Sequence, residues 1–179
     1  MNFAHVEKGP ITHTTDPVYM VSSVVGMKYK DGIIMAGDTN LSVGTSIRLM
    51  TVTDRIQHMT PRTIMGFSGE YSDFQESSRD LKELVLSDSI QGTTYLGPKE
   101  LTHYLSSVHY YKRNNMDPYL NSVVIGGYDF NGDLLLNNVD AFGTLLQNNY
   151  FTTSYSHYFC NAIFAAEYPA DYTTVTKEK

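Results

Sequence analysis

Gly66-Phe67-Ser68-Gly69 invites comparison with the sharp turn that presents a nucleophilic serine between a strand and a helix. That turn needs a glycine two residues after the serine so that the backbone can fold back beneath the hydroxyl, and position 70 is Glu70. The plainer reading is a glycine turn that lets a strand and a helix meet closely. The histidines are His5, His13, His58, His103, His109 and His157, and no two stand four apart. His103 and His109 are six apart and fall on different faces of a helix. With a single cysteine and no His-Glu-x-x-His run, no metal centre is indicated. Cys160 reads as a small buried apolar residue. Gly126-Gly127-Tyr128-Asp129 ends a strand with no helix after it, unlike a phosphate cradle. The motifs therefore yield no catalytic, cofactor-binding or metal-binding residue.

Composition narrows the classes further. The 179 residues suit one domain with one main core, and 41% hydrophobic against 18% charged residues is ordinary for a globular chain. A formal net charge of -6 without a basic stripe excludes nucleic acid as an expected partner. One cysteine precludes a disulfide framework and favours a reducing compartment. Met1 to Thr15 lacks the apolar segment of a secretory signal. Runs such as Ile33-Ile34-Met35-Ala36 are far shorter than the ~20 apolar residues of a membrane helix. The expectation is cytoplasm and nucleus, with no membrane partner. Fourteen tyrosines without a tryptophan suit either protein-packing surfaces or the core and surface of a β-rich domain.

The elements that would carry any site follow from periodicity. Val21 to Tyr29 alternates as one strand, Asp31-Gly32 is a hairpin turn, and Ile33 to Ala36 reads as a buried return strand ending at Gly37-Asp38. Shorter strands are expected at Ser46–Thr51, Ile56–Met59 and Thr63–Phe67. Ser72-Asp73-Phe74-Gln75 fits a capping box that opens a helix to about Leu86. Pro98 opens a second helix with Leu101, Tyr104, Leu105 and Val108 as its buried stripe, closed by Asp117-Pro118. Strands resume at Ser122–Tyr128, turn at Asn131-Gly132 and return through Leu134-Leu135-Leu136. A strand at Asn149–Ser154 and a helix from Ser156 to about Glu167 follow. Hairpin-linked strands with segregated helices predict an α+β layered domain of antiparallel sheets.

In order along the chain, this set of elements resembles a proteasome beta-type subunit. The opening hairpin from Ser22 to Asp38, Gly44, Arg55-Ile56, the Gly66–Gly69 segment before a helix, Gly126-Gly127-Tyr128-Asp129, Val139-Asp140 and Gly143 carry the likeness, over roughly Asp16 to Ala166. Within the family the chain is most similar to the non-catalytic seventh beta position, beta-type 4 in animal naming. Asp16-Pro17-Val18, the run Gly69-Glu70-Tyr71-Ser72-Asp73-Phe74-Gln75 and Val124-Ile125-Gly126-Gly127-Tyr128 match that subgroup.

The resemblance implies an N-terminal nucleophile hydrolase fold, a four-layer αββα sandwich, here shortened at its C-terminus. Residues 1–14 would be a propeptide or N-terminal extension and 15–179 a single domain. Active members use an N-terminal threonine whose own amine is the base, aided by an aspartate and a lysine. Matched to Asp38, the nucleophile position falls on Ser22, which Val21 precedes and which therefore lacks a free amine. The lysine position falls at Asp54 or Arg55, and Tyr155 replaces an assisting serine. Asp38 alone survives, and a turn-capping aspartate explains it equally. The implied function is a structural, non-catalytic subunit of the 20S core beta ring. It would contact other beta subunits in the same and opposite rings and the alpha ring, with assembly chaperones and regulatory particles indirectly. The alternative is an active N-terminal nucleophile peptidase using Ser22, Thr14 or Thr15. Thr173 to Thr176 resembles a late strand of the family, and the helices expected before it are missing or shortened.

Overall fold

A computed structural model describes residues 16–44, 47–92 and 96–176. Its strands are β1 (Tyr19–Val21), β2 (Val24–Tyr29), β3 (Gly32–Gly37), β4 (Asn40–Val43), β5 (Ile47–Thr51), β6 (Ile56–Thr60), β7 (Thr63–Glu70), β8 (Asn121–Tyr128), β9 (Leu134–Val139), β10 (Leu145–Gln147) and β11 (Tyr150–Thr152). The helices are α1 (Tyr71–Gln91), α2 (Pro98–Asn114) and α3 (Ser156–Glu167). All strand pairs are antiparallel. One sheet runs β10-β9-β8-β7-β1-β4-β5 with β6 also on β7, and the other runs β11-β2-β3.

The two sheets stack, and each carries helix on its outer face. Met65, Phe67, Val123, Ile125 and Val139 of the large sheet pack beneath Phe74 and Leu81 of α1 and Leu101 and Leu105 of α2. Between the sheets, Val24, Val124 and Leu136 form a second cluster with Ile33, Met35 and Phe151. Glycine sets this spacing: a Cβ on Gly126 would lie 2.5 Å from Ile33 Cδ1. α3 covers β11 and β2. The architecture is the expected α+β sandwich of antiparallel sheets in four αββα layers.

Several local expectations are corrected. Val21 to Tyr29 is not one strand: it breaks at Ser22-Ser23, and its two parts join different sheets. Val21 and Val24 are both fully buried but three residues apart, and a period of two cannot point both inward. The break lets each enter its own cluster. The return strand β3 is half-buried and exposed at Ala36-Gly37, since it is a sheet edge. α1 starts at Tyr71 after Glu70 and runs to Gln91, ending at left-handed Gly92. Ser72 lies inside its first turn and donates to Glu70 Oε1 at 3.2 Å instead of capping. In α2 the buried stripe is Leu101, Thr102, Leu105 and His109, while Tyr104 is exposed. Short strands β4 and β10 appear where no strand was expected. Residues Tyr172–Thr174 form a 3-10 turn in place of the late strand.

His109 is fully buried, edge-on to Tyr119 at 5.6 Å, with Nδ1 2.8 Å from the Asp140 carbonyl. A proton on Nδ1 makes that hydrogen bond and leaves the ring neutral. Burial pushes the His109 pKa below its ordinary 6.5, partly opposed by the carbonyl and charge of Asp140. The unfolded chain therefore takes up a proton that the folded chain refuses, and stability falls as pH drops through 6.5 toward the lower folded value. The urea midpoint should fall between pH 7.5 and pH 5.5, and the fall should shrink in His109→Gln.

Candidate functional site

The break between β1 and β2 brings five side chains together, those of Ser23, Asp38, Arg55, Thr153 and Ser156. Asp38, just past β3, accepts the Ser23 amide at 3.0 Å through Oδ2 and the Asn40 amide at 3.0 Å through Oδ1. Arg55 precedes β6, and its side chain is 2% exposed. Its Nη2 donates to the Ser23 carbonyl and stands 3.7 Å from Asp38 Oδ2. Ser23 Oγ accepts the Ser156 amide at 2.9 Å, which ties the start of β2 to the first residue of α3. Ser156 Oγ in turn donates to the Thr153 carbonyl at 2.6 Å, and Thr153 Oγ1 accepts the Val24 amide at 3.0 Å.

Gly37 makes room for the cation. A Cβ there would lie 2.7 Å from Arg55 Nη2 and 3.2 Å from the Ser23 carbonyl oxygen. Burial pulls the Arg55 pKa down, and Asp38 opposes that shift. A guanidinium keeps its proton regardless, so this is a permanent charge that can orient carbonyl and carboxylate but cannot exchange protons. Its Nε and Nη1 are buried without hydrogen-bond partners among the described residues.

Of the two residues at which the lysine position was expected, Asp54 and Arg55, it is Arg55 that lies beside Ser23 and Asp38. Asp54 is exposed and lies 3.5 Å from the Tyr71 hydroxyl. Ser22 is half-buried on the wall of a cleft of about 520 Å³, together with Met20, Asn40, Arg48 and Tyr155. The networked hydroxyl is that of Ser23, which the strand-period reading passed over because its partner, Ser156, is 133 residues away. Tyr155 is 64% exposed, at the position before α3. The 1–14 extension, Thr14 and Thr15 lie outside the described residues.

Other candidates resolve simply. Ser68 sits inside β7 and donates to the Ser122 carbonyl at 3.2 Å, so the Gly66–Gly69 run is strand, not a turn. Cys160 is a half-buried free thiol on α3, not a buried one. Among the described residues no cluster of three or more metal-ligating side chains occurs.

Upstream of Ser22 the chain is woven into the sheet. β1 pairs with β7 at Met20–Glu70 and Val21–Gly69, and with β4 from Tyr19–Val43 to Val21–Leu41. A family model described as "Proteasome subunit" matches residues 19–178, from the first residue of β1 onward. The chain belongs to the proteasome subunit family. It is 36% identical to proteasome subunit beta type-4 of Arabidopsis thaliana over 159 residues, 88% of this chain and 64% of that protein. It is 31% identical to the Xenopus laevis beta type-4 subunit over 172 residues, covering 96% and 70%. Against the Dictyostelium discoideum beta type-4 subunit it is 37% identical over 143 residues, covering 79% and 54%. The chain thus spans 54% to 70% of the length of these relatives. The expected likeness to beta-type subunits, and to type 4 among them, is borne out.

In this proteasome-family chain the Arg55 cluster acts as a clasp between β2, β3 and α3. Arg55→Met should cost about 1 kcal/mol in denaturant unfolding, because it frees the Ser23 carbonyl, while Asp38, 40% exposed, stays solvated without its cation. Ser154 has a left-handed φ of 53° in the turn before α3, where a side chain is disfavoured. Ser154→Gly should stabilise the fold by up to about 1 kcal/mol in the same assay.

Proposed function

We propose that this chain is a non-catalytic structural subunit of the 20S proteasome core beta ring, serving assembly of the protein-degradation machine. The observation that carries the proposal is that Ser22 follows directly, through an intact peptide bond, on Val21, the last residue of the paired strand β1. Val21 is 1% exposed and bonded into a strand on both sides, so position 22 presents an amide where the chemistry needs a free amine. Arg55 in the lysine's place and Tyr155 in the serine's place support the same reading.

Assembly accounts for surfaces the single chain leaves open. α3 and the residue before it expose Tyr155, Tyr158, Phe159 and Ile163, and the edge strand β5 exposes Ile47, Leu49 and Met50. Large apolar and aromatic side chains of this kind mark protein contacts. Their partners would be beta subunits of the same and opposite rings and alpha-ring subunits, with assembly chaperones and regulatory particles acting indirectly. The place of action would be cytoplasm and nucleus.

Native material treated with an epoxyketone probe, which needs a hydroxyl and a free amine on one residue, should show no adduct on this chain. Its intact mass should retain residues upstream of Ser22, and native mass spectrometry should find it with co-purifying proteasome subunits. An adduct, or a mature chain that starts at Ser22, would reverse the assignment to an active N-terminal nucleophile peptidase. Recovery as a lone monomer would contradict ring membership.

A further inference from the structure

The amides of the segment before β1 are held by one side chain far away in sequence, while the Gly44 amide donates to the Val18 carbonyl at 3.2 Å. Glu70, 7% exposed at the junction of β7 and α1, accepts the Val18 amide at 2.6 Å through Oε2. Both of its oxygens also accept the Tyr19 amide, at 3.0 and 3.2 Å. Ser72 Oγ donates to Oε1 at 3.2 Å and steadies the carboxylate from within α1. We propose that Glu70 is a latch: its carboxylate captures the upstream segment and thereby seats β1 between β7 and β4.

The geometry makes the latch consequential. Val18 and Tyr19 are about half exposed, so side-chain burial does little to hold them. The β1–β7 ladder has only two residue pairs. Two successive amides on one buried carboxylate are charge-assisted bonds, roughly twice as strong as neutral ones. Among the described residues β4 and β5 reach the rest of the large sheet only through β1, so loss of the latch would loosen three strands together. This holds whether or not the chain is catalytic, and its test reads backbone protection, not activity.

Amide hydrogen exchange on the full chain, compared between wild type, Glu70→Ala and Glu70→Gln, decides the matter. Glu70→Ala should speed exchange at least ten-fold across 18–21 and 40–51 and leave 121–139 unchanged. Glu70→Gln keeps one acceptor and loses the charge, so a smaller acceleration confined to 18–21 is expected, and this variant serves if Glu70→Ala does not fold. Limited proteolysis should likewise nick Glu70→Ala near Ser22 faster than wild type. Wild-type protection at 18–21 in both variants, or equal acceleration through 121–139, would overturn the latch.

Discussion

The placement of three residues, Tyr19 to Val21, between β7 and β4 is the constraint on which the rest of this structure depends. Without that strand the β4–β5 hairpin has no hydrogen-bonded neighbour in the sheet among the described residues, where β4 pairs with β1 and β5 and with no other strand. The strand also delivers Val21 to a small cluster with Leu41, Val52 and part of Tyr71. Burial of one valine contributes about 1.5–3 kcal/mol, and each ladder hydrogen bond a net ~1 kcal/mol. Those terms are comparable with the entropy of fixing so short a segment, about 1–2 kcal/mol per residue. Anchors outside the ladder therefore decide the outcome, and the chain supplies them at Glu70 on one side of Ser22 and at Asp38 on the other.

The Arg55 cluster shows the same economy turned inward. A buried guanidinium is costly unless its hydrogen bonds are directed, and only one arm of Arg55 finds a carbonyl. Asp38, whose side chain is 40% exposed, offers partial compensation across 3.7 Å. A lysine could lower the pKa of a nearby amine and trade protons with it, whereas arginine can only hold shape. Here the held shape is a corner: Ser23 gives its carbonyl to Arg55, its amide to Asp38 and its hydroxyl to Ser156. Every polar group of one residue is spent on joining β2, β3 and α3.

Much of this fold was legible in the sequence, and the misses have physical causes. α3 and the turn at Asn131-Gly132 carry local signals, and the structure has them where local chemistry puts them; the first hairpin turns one residue earlier than expected, at Lys30-Asp31, with Gly32 already paired to Tyr29. The break at Ser22-Ser23 has no local signal, because Val21 and Val24 both suit a strand and only the existence of two separate cores parts them. Ser72 looked like a helix cap because its type and the spacing to Gln75 are right. Glu70, with longer reach and distant amides to hold, moved the helix start to Tyr71. β4 and β10 are three or four residues long and owe their form to neighbours instead of propensity. At the site, alignment to a family pattern located Asp38 and left Asp54 and Arg55 open. In the structure Arg55 is buried beside Asp38 and Asp54 is exposed.

The tyrosines, ambiguous in composition, divide by environment. Tyr150 stacks with Phe164 of α3 and both meet Tyr168 edge-on, and the Tyr168 hydroxyl donates to the Lys28 carbonyl at 2.7 Å. Burial pushes that hydroxyl's pKa up to about 12, so it stays a donor across the physiological range. Tyr155 and Tyr158, on the far side of the same helix, are 64% and 77% exposed beside Phe159. α3 therefore has two apolar sides, one satisfied by its own sheet and one open. Its N-terminus is pinned by the Ser156–Ser23 hydrogen bond. A contact helix must be held rigidly if outward-facing aromatics are to bind without a large ordering cost. The corner at Ser23, bonded at its amide, carbonyl and hydroxyl, has the geometry to do that holding.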